Sequence, residues 1–187
     1  MAITLSGDSP NLTSASLTTP TLTSPTFAGT PAGVGVLTSM TAQASTSGTS
    51  IDFTSIPSWV KRITVMFDGV STNGTSSFLI QIGAGSVTTS GYVGNASSYA
   101  NTNATSTAGF VLTQANVASA AYSGHIVITN LTSNTWVESS TLIPTASQTG
   151  QGSGGSLALG GTLDRVRVTT VNGTDTFDAG SINILYE

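Results

Sequence analysis

Leu12, Leu17, Leu22, Phe27, Ala32 and Leu37 stand five residues apart along the start of the chain, and Pro20 and Pro25 keep the same spacing. A helix repeats about every 3.6 residues and a strand about every 2, so this row belongs to neither. The two prolines exclude a helix interior, and each removes a backbone donor. The segment is therefore expected to be extended. A single extended chain has nothing with which to bury a row of isolated apolar side chains. Identical chains laid along a shared axis would bury it, which makes Leu12, Leu17, Leu22 and Phe27 the expected contacts of a stem. A Thr/Pro-rich leader with chance spacing is the other reading of the same residues.

From about Ile51 the period changes to two. Ile63, Val65 and Phe67 fall on one face of a strand and Thr64, Met66 and Asp68 on the other, while Phe78, Ile80 and Ile82 share a face of the next. Further strands are predicted over 87–93, 109–113, 124–130, 135–142, 156–159, 163–171 and 181–187. Turn residues separate them at Thr72-Asn-Gly-Thr75, Thr132-Ser-Asn134, Asn172-Gly-Thr174 and Asp178-Ala-Gly180. Asn-Gly between strand-like runs is a strong hairpin signature. The one run with any helical character, 112–121, has no convincing cap. Two stretches, 95–108 and 149–161, are so rich in Ser, Thr, Asn and Gly that they read as long loops. Many short strands at this spacing predict an all-β, jelly-roll-like β-sandwich over 45–187, preceded by the extended segment 1–44.

Charge narrows the possible partners. Only 6% of the 187 residues are charged, and Lys61, Arg62, Arg165 and Arg167 are the only basic ones, in a chain of net charge −4. Phosphate backbones are held mainly by Lys and Arg, and anionic membrane surfaces by the same residues. Neither nucleic acid nor membrane insertion is expected. The absence of Cys removes disulfides and thiolate-bound metals. The first eight residues lack the basic start and apolar core of a secretory signal, which fits assembly in a cytoplasm.

Several of these stretches resemble the tail fibres and receptor-binding proteins of tailed bacteriophages. They are the Thr/Pro-rich run Thr19–Phe27 with Gly33-Val-Gly-Val-Leu37, the strands from Ile56 to Phe67 with Gly69–Gly74, and the closing run Phe177–Glu187. The resemblance implies a homotrimer with a β-sandwich head on a slender stem, displayed on the exterior of the virion. Its N-terminal segment would dock to other virion proteins, and the head would attach to the host surface, with a surface glycan as one candidate ligand. A capsid decoration protein and a carbohydrate-binding adhesin module are the rival readings.

No enzyme is expected. Gly7-Asp8-Ser9 resembles the nucleophile block of an esterase family, but the sole histidine is His125, and Tyr122 stands where that family has Asp. Gly150-Gln-Gly-Ser-Gly-Gly155 has dinucleotide-loop spacing yet leads into a strand pattern, not a helix. No cofactor is expected. Asp164, Asp175 and Asp178 could in principle contribute to a calcium site, but turn chemistry accounts for the latter two, and no metal is expected. Arg165 and Arg167 are expected to pair with Asp52, Asp68 or Glu138 across a subunit boundary, or to meet an anionic glycan. An uncharged surface would bind through aromatic rings and amide or hydroxyl groups. Tyr99 is the leading candidate contact, with Tyr92, Asn101 and Asn103 beside it, whereas Trp59 and Trp136 are expected to pack in the core.

Overall fold

The computed structural model describes residues 37–100, 102–118, 120–145 and 149–187. The expected stem contacts Leu12, Leu17, Leu22 and Phe27 lie outside the described residues, as does Asn101. No described residue is helical, including those of the run 112–121. The strands are β1 (Thr38–Ser39), β2 (Gln43–Ala44), β3 (Ile51–Thr54), β4 (Arg62–Thr72), β5 (Phe78–Ala84), β6 (Ser86–Val87) and β7 (Val93–Ser98). They continue with β8 (Asn103–Thr105), β9 (Phe110–Val111), β10 (Tyr122–Thr132), β11 (Thr135–Pro144), β12 (Gln151–Ala158), β13 (Arg165–Thr170) and β14 (Phe177–Tyr186).

These strands build two antiparallel sheets, a β-sandwich. The larger runs β1-β14-β4-β10-β11-β12-β7-β8, with β2 also on β14; the smaller runs β3-β13-β5-β6, with β9 on β5. Residues 38–44, at the end of the segment read as extended, thus pair with the last strand of the head.

The alternation in the sequence sets which face is buried. Ile63, Val65 and Phe67 of β4 and Phe78, Ile80 and Ile82 of β5 are all buried between the sheets, with Ile126, Ile128, Val166, Val168, Ile182 and Ile184. Burying each such side chain contributes roughly 1.5–3 kcal/mol. Phe78 is the centre of an aromatic group. Phe67 and Tyr122 meet it edge-on, with ring centres 5.5 and 5.3 Å away, and Phe177 stacks at 6.3 Å. The outward face of β5 is buried too. Leu79 packs with Ala96 of β7 and Val111 of β9, and the Gln81 amide donates to the Ala108 carbonyl at 2.9 Å. The β7–β8 end of the large sheet therefore folds over the small one.

The two Asn-Gly turns do not make hairpins. Thr72–Thr75 leads from β4 in the large sheet to β5 in the small one, and Asn172–Thr174 leads from β13 back to β14. They lock together. The Asp175 carboxylate accepts from the Ser76 amide at 2.9 Å, and the Thr176 amide donates to Asn73 Oδ1 at 2.8 Å. A Cβ on Gly74 would fall within 2.4 Å of that carboxylate, so a side chain there would push Asp175 away from the Ser76 amide. Ser133-Asn134 does make the expected tight hairpin, between β10 and β11.

Residues 95–108 and 149–161, expected as loops, supply the strands β7, β8 and β12. A Cβ on Gly155 would meet the Val93 carbonyl at 2.7 Å and the Phe110 ring at 2.9 Å. Glycine is there because neighbouring groups crowd the strand, a use of glycine that composition alone does not separate from flexibility. Asp178-Ala-Gly180, expected as a turn, is a bulged part of β14, with Gly180 at φ +89°. A Cβ there would lie 2.4 Å from the Gly69 carbonyl oxygen. Gly180→Ala is therefore expected to destabilise the head by about 2–4 kcal/mol, measured by urea denaturation, whereas Gly160→Ala, which meets nothing within 4 Å, should change it little.

Candidate functional site

The outward face of β8, β7, β12 and β11 is a polar surface in regular register. Thr105, Asn95, Gly154 and Ser139 form one cross-strand row, and Asn103, Ser97, Gly152 and Thr141 the next. Beyond this second row on β11 comes Ile143, half exposed. No charged side chain stands in either row. Tyr99 follows β7 directly and is two-thirds exposed. Its amide donates to the Gly150 carbonyl at 3.1 Å, which fixes the backbone at the edge of the face.

The Tyr99 ring rests where side chains are missing. A Cβ on Gly150 would meet its Cε2 at 2.8 Å and Ile143 Cδ1 at 2.7 Å, and a Cβ on Gly152 would lie 3.8 Å from its Cε1. Gly152 and Gly154 thus make a bare floor, walled by Tyr99, Asn95 and Ser97, in an open groove of about 600 Å³, with Gly150 beneath the Tyr99 ring. The spacing of two among those glycines is the strand period, the one trace of this floor in the sequence. Amides, hydroxyls and one aromatic face suit a neutral polar ligand with an apolar face of its own, which a sugar ring has.

The other expected contacts fare differently. Asn103 is exposed in the second row. Tyr92 is a core residue, not a surface ring. It is 1% exposed, edge-on to Phe110 at 4.9 Å, and its hydroxyl accepts from the Ile82 amide at 2.8 Å. Burial pushes its phenol up to about 12, against the opposing hydrogen bond from Ile82. Trp136 is buried as expected, but Trp59 is half exposed.

The basic residues are occupied within the chain. Arg167 makes a bidentate pair with Asp52, its cross-strand neighbour, at 2.7 and 2.8 Å. Arg165 holds Asp164 at 2.7 and 3.1 Å, Arg62 reaches Glu187 at 3.4 Å, and Lys61 donates to Asn130. Of the acids expected as partners, Asp52 pairs with Arg167 inside the head, while Arg165 takes its chain neighbour Asp164. Asp175 is engaged by turn amides and Asp178 by Ser71. Among the described residues no group of three or more His, Cys, Asp or Glu could hold a metal. His125 is exposed between Met66 and Thr141, with no acid beside it in register. Gly7-Asp8-Ser9 lies outside the described residues. The run 150–155 enters β12, not a helix, so the dinucleotide reading has no structural basis.

Behind this face sits a group that sequence reasoning missed as such. Glu138 of β11, considered as an arginine partner, points into the core and is 5% exposed. Its Oε1 accepts from Ser153 Oγ of β12 at 2.8 Å, and Ser153 meets Ser140 Oγ at 2.5 Å. Glu138 Oε2 and the neighbouring Trp136 Nε1 have no partner. Desolvation drives the carboxyl up to about 7, with the Ser153 bond opposing it.

No protein-family model, curated protein or solved structure matches this chain.

The buried acid has a signature in stability. Its proton is bound more tightly in the folded head than in the unfolded chain. Stability should therefore be full below about pH 4.5 and fall as pH rises toward 7, by about 3 kcal/mol from this group. Urea denaturation across that window should show the decline, and Glu138→Gln should remove most of it.

Proposed function

We propose that the chain is a structural virion protein: a homotrimeric tail fibre or spike of a tailed bacteriophage that attaches the particle to the host surface. The observation that carries this reading is the five-residue apolar row, whose last member, Leu37, enters the head at an end rich in exposed apolar side chains. Leu37 is 61% exposed, Trp59 48% and Leu131 67%. Thr38 pairs with Tyr186, the Trp59 ring lies 5.8 Å from that of Tyr186, and the Asn130 amide donates to the Lys61 carbonyl, so all three belong to one end of the large sheet. Clustered exposed apolar groups of this kind suit an interface, and three copies leading out of a common stem would share it.

In this proposal the residues ahead of β1 are the extended stem, which trimerises through Leu12, Leu17, Leu22 and Phe27 and docks to other virion proteins. The head is jelly-roll-like, a reading supported by the pairing of sequence-distant strands in both sheets, β14 with β4 and β13 with β3. It is displayed on the exterior of the particle, and the neutral Tyr99 groove is the surface offered to a host glycan. No catalytic role is part of this reading.

Two experiments test it. An antibody to the chain should label the tail in electron micrographs of the particle; a label over the capsid lattice would instead make this a decoration protein. Fluorescent protein should bind host cells, and Tyr99→Ala should weaken that binding about tenfold, the loss of one stacking contact. Binding unchanged by Tyr99→Ala and by Gly152→Val would remove the groove from the proposal.

A further inference from the structure

We propose that the proton on Glu138 governs the order of the glycine strand β12, so that the Tyr99 groove is assembled in mildly acidic medium and loosened in alkaline medium. Its use in attachment rests on the reading above; the device itself stands on the geometry of the head alone.

The side-chain hydrogen bonds between β12 and β11 run through one group, while the apolar pair Trp136–Leu157 stands at the far end. Ser140 and Ser153 face each other across the two strands, and Ser153 donates to Glu138 Oε1. The outward, groove-side positions of β12 beside them are Gly152 and Gly154, which contribute backbone only, and its inward Gly155 lies directly opposite Glu138. Glycine in a strand weakens it because no side chain packs. On its far side β12 pairs with β7, which is followed outward only by the three-residue strand β8.

A neutral carboxyl is tolerable in this place, and an ionised one is not. Oε2 has no donor. The inward residues of β10 are Tyr122, Ile126 and Ile128, those of β12 are Gln151, Ser153, Gly155 and Leu157, and Phe110 of β9 covers Gly155. Tyr122, and Tyr92 against Phe110, are the titratable groups there, and burial raises both phenols, so neither supplies charge at neutral pH. The four basic residues are paired elsewhere. A buried charge without a counterion must reach water or give up its proton. On the other side of Glu138, β10 is held between two long neighbours, β4 and β11. The strand that can yield is β12, and it carries the floor of the groove.

Hydrogen exchange on the full chain, at about pH 5.5 and pH 8.5 with times scaled for intrinsic rates, reads this directly. Peptides over 151–158 should lose at least about tenfold protection at the higher pH, while those of β4 and β14 hold theirs. Glu138→Gln should keep β12 protected at both. Glu138→Met, of similar length and not ionisable, makes the same comparison if the glutamine variant does not fold. Equal protection of wild-type β12 at both pH values would overturn the proposal, as would a variant that loosens in the same way. No host ligand enters the measurement, so failure of the attachment reading leaves it intact, and the reverse also holds.

Discussion

A chain with four basic and eight acidic side chains has to hold itself together by backbone pairing and apolar burial. Every other feature of the head answers to that constraint. Both sheets are continuous antiparallel ladders, and the layer between them is aliphatic with an aromatic centre at Phe78. The arginines are spent on carboxylates of the same chain, at the edge pair Arg167–Asp52 and the adjacent pair Arg165–Asp164. What is left for the surface is mostly amide, hydroxyl and glycine, with a few exposed rings and aliphatic side chains such as Leu37, Leu131 and Ile143. In the proposed attachment role, recognition would rest on shape, stacking and neutral hydrogen bonds more than on charge. The same shortage of cations leaves Glu138 without a counterion inside the sandwich.

The strands with strict alternation were legible in advance. Ile63, Val65 and Phe67, and Phe78, Ile80 and Ile82, face inward as their spacing requires. The misread segments share a physical cause. Asn-Gly favours a tight turn, but a turn does not say whether the chain returns to the same sheet or crosses to the other, and both Asn-Gly turns here cross. Glycine likewise marks either freedom or crowding, and at Gly155 and Gly180 it is crowding. Side-chain packing of neighbours decides between the two, and neighbours are not visible along the chain.

The candidate site was legible in part for a related reason. Tyr99 lies in a stretch with no apolar partner nearby in sequence, and it is indeed exposed. Tyr92 looked equivalent, yet its ring packs edge-on against Phe110 and its hydroxyl bonds the backbone of β5. The glycine floor was hidden because it appeared as a loop. Glu138 gave no sign of burial, since an acid flanked by Val137 and Ser139 reads as a surface residue until the face of β11 is known.

The proposed trimer would account together for the row of apolar residues that ends at Leu37 and for the exposed side chains of Trp59 and Leu131. A net charge of only −4 offers little repulsion to keep copies apart. Sedimentation equilibrium of the full chain at micromolar concentration tests that most directly. The account predicts a single species of three times the 18.7 kDa chain mass; a stable species of one chain mass would contradict it.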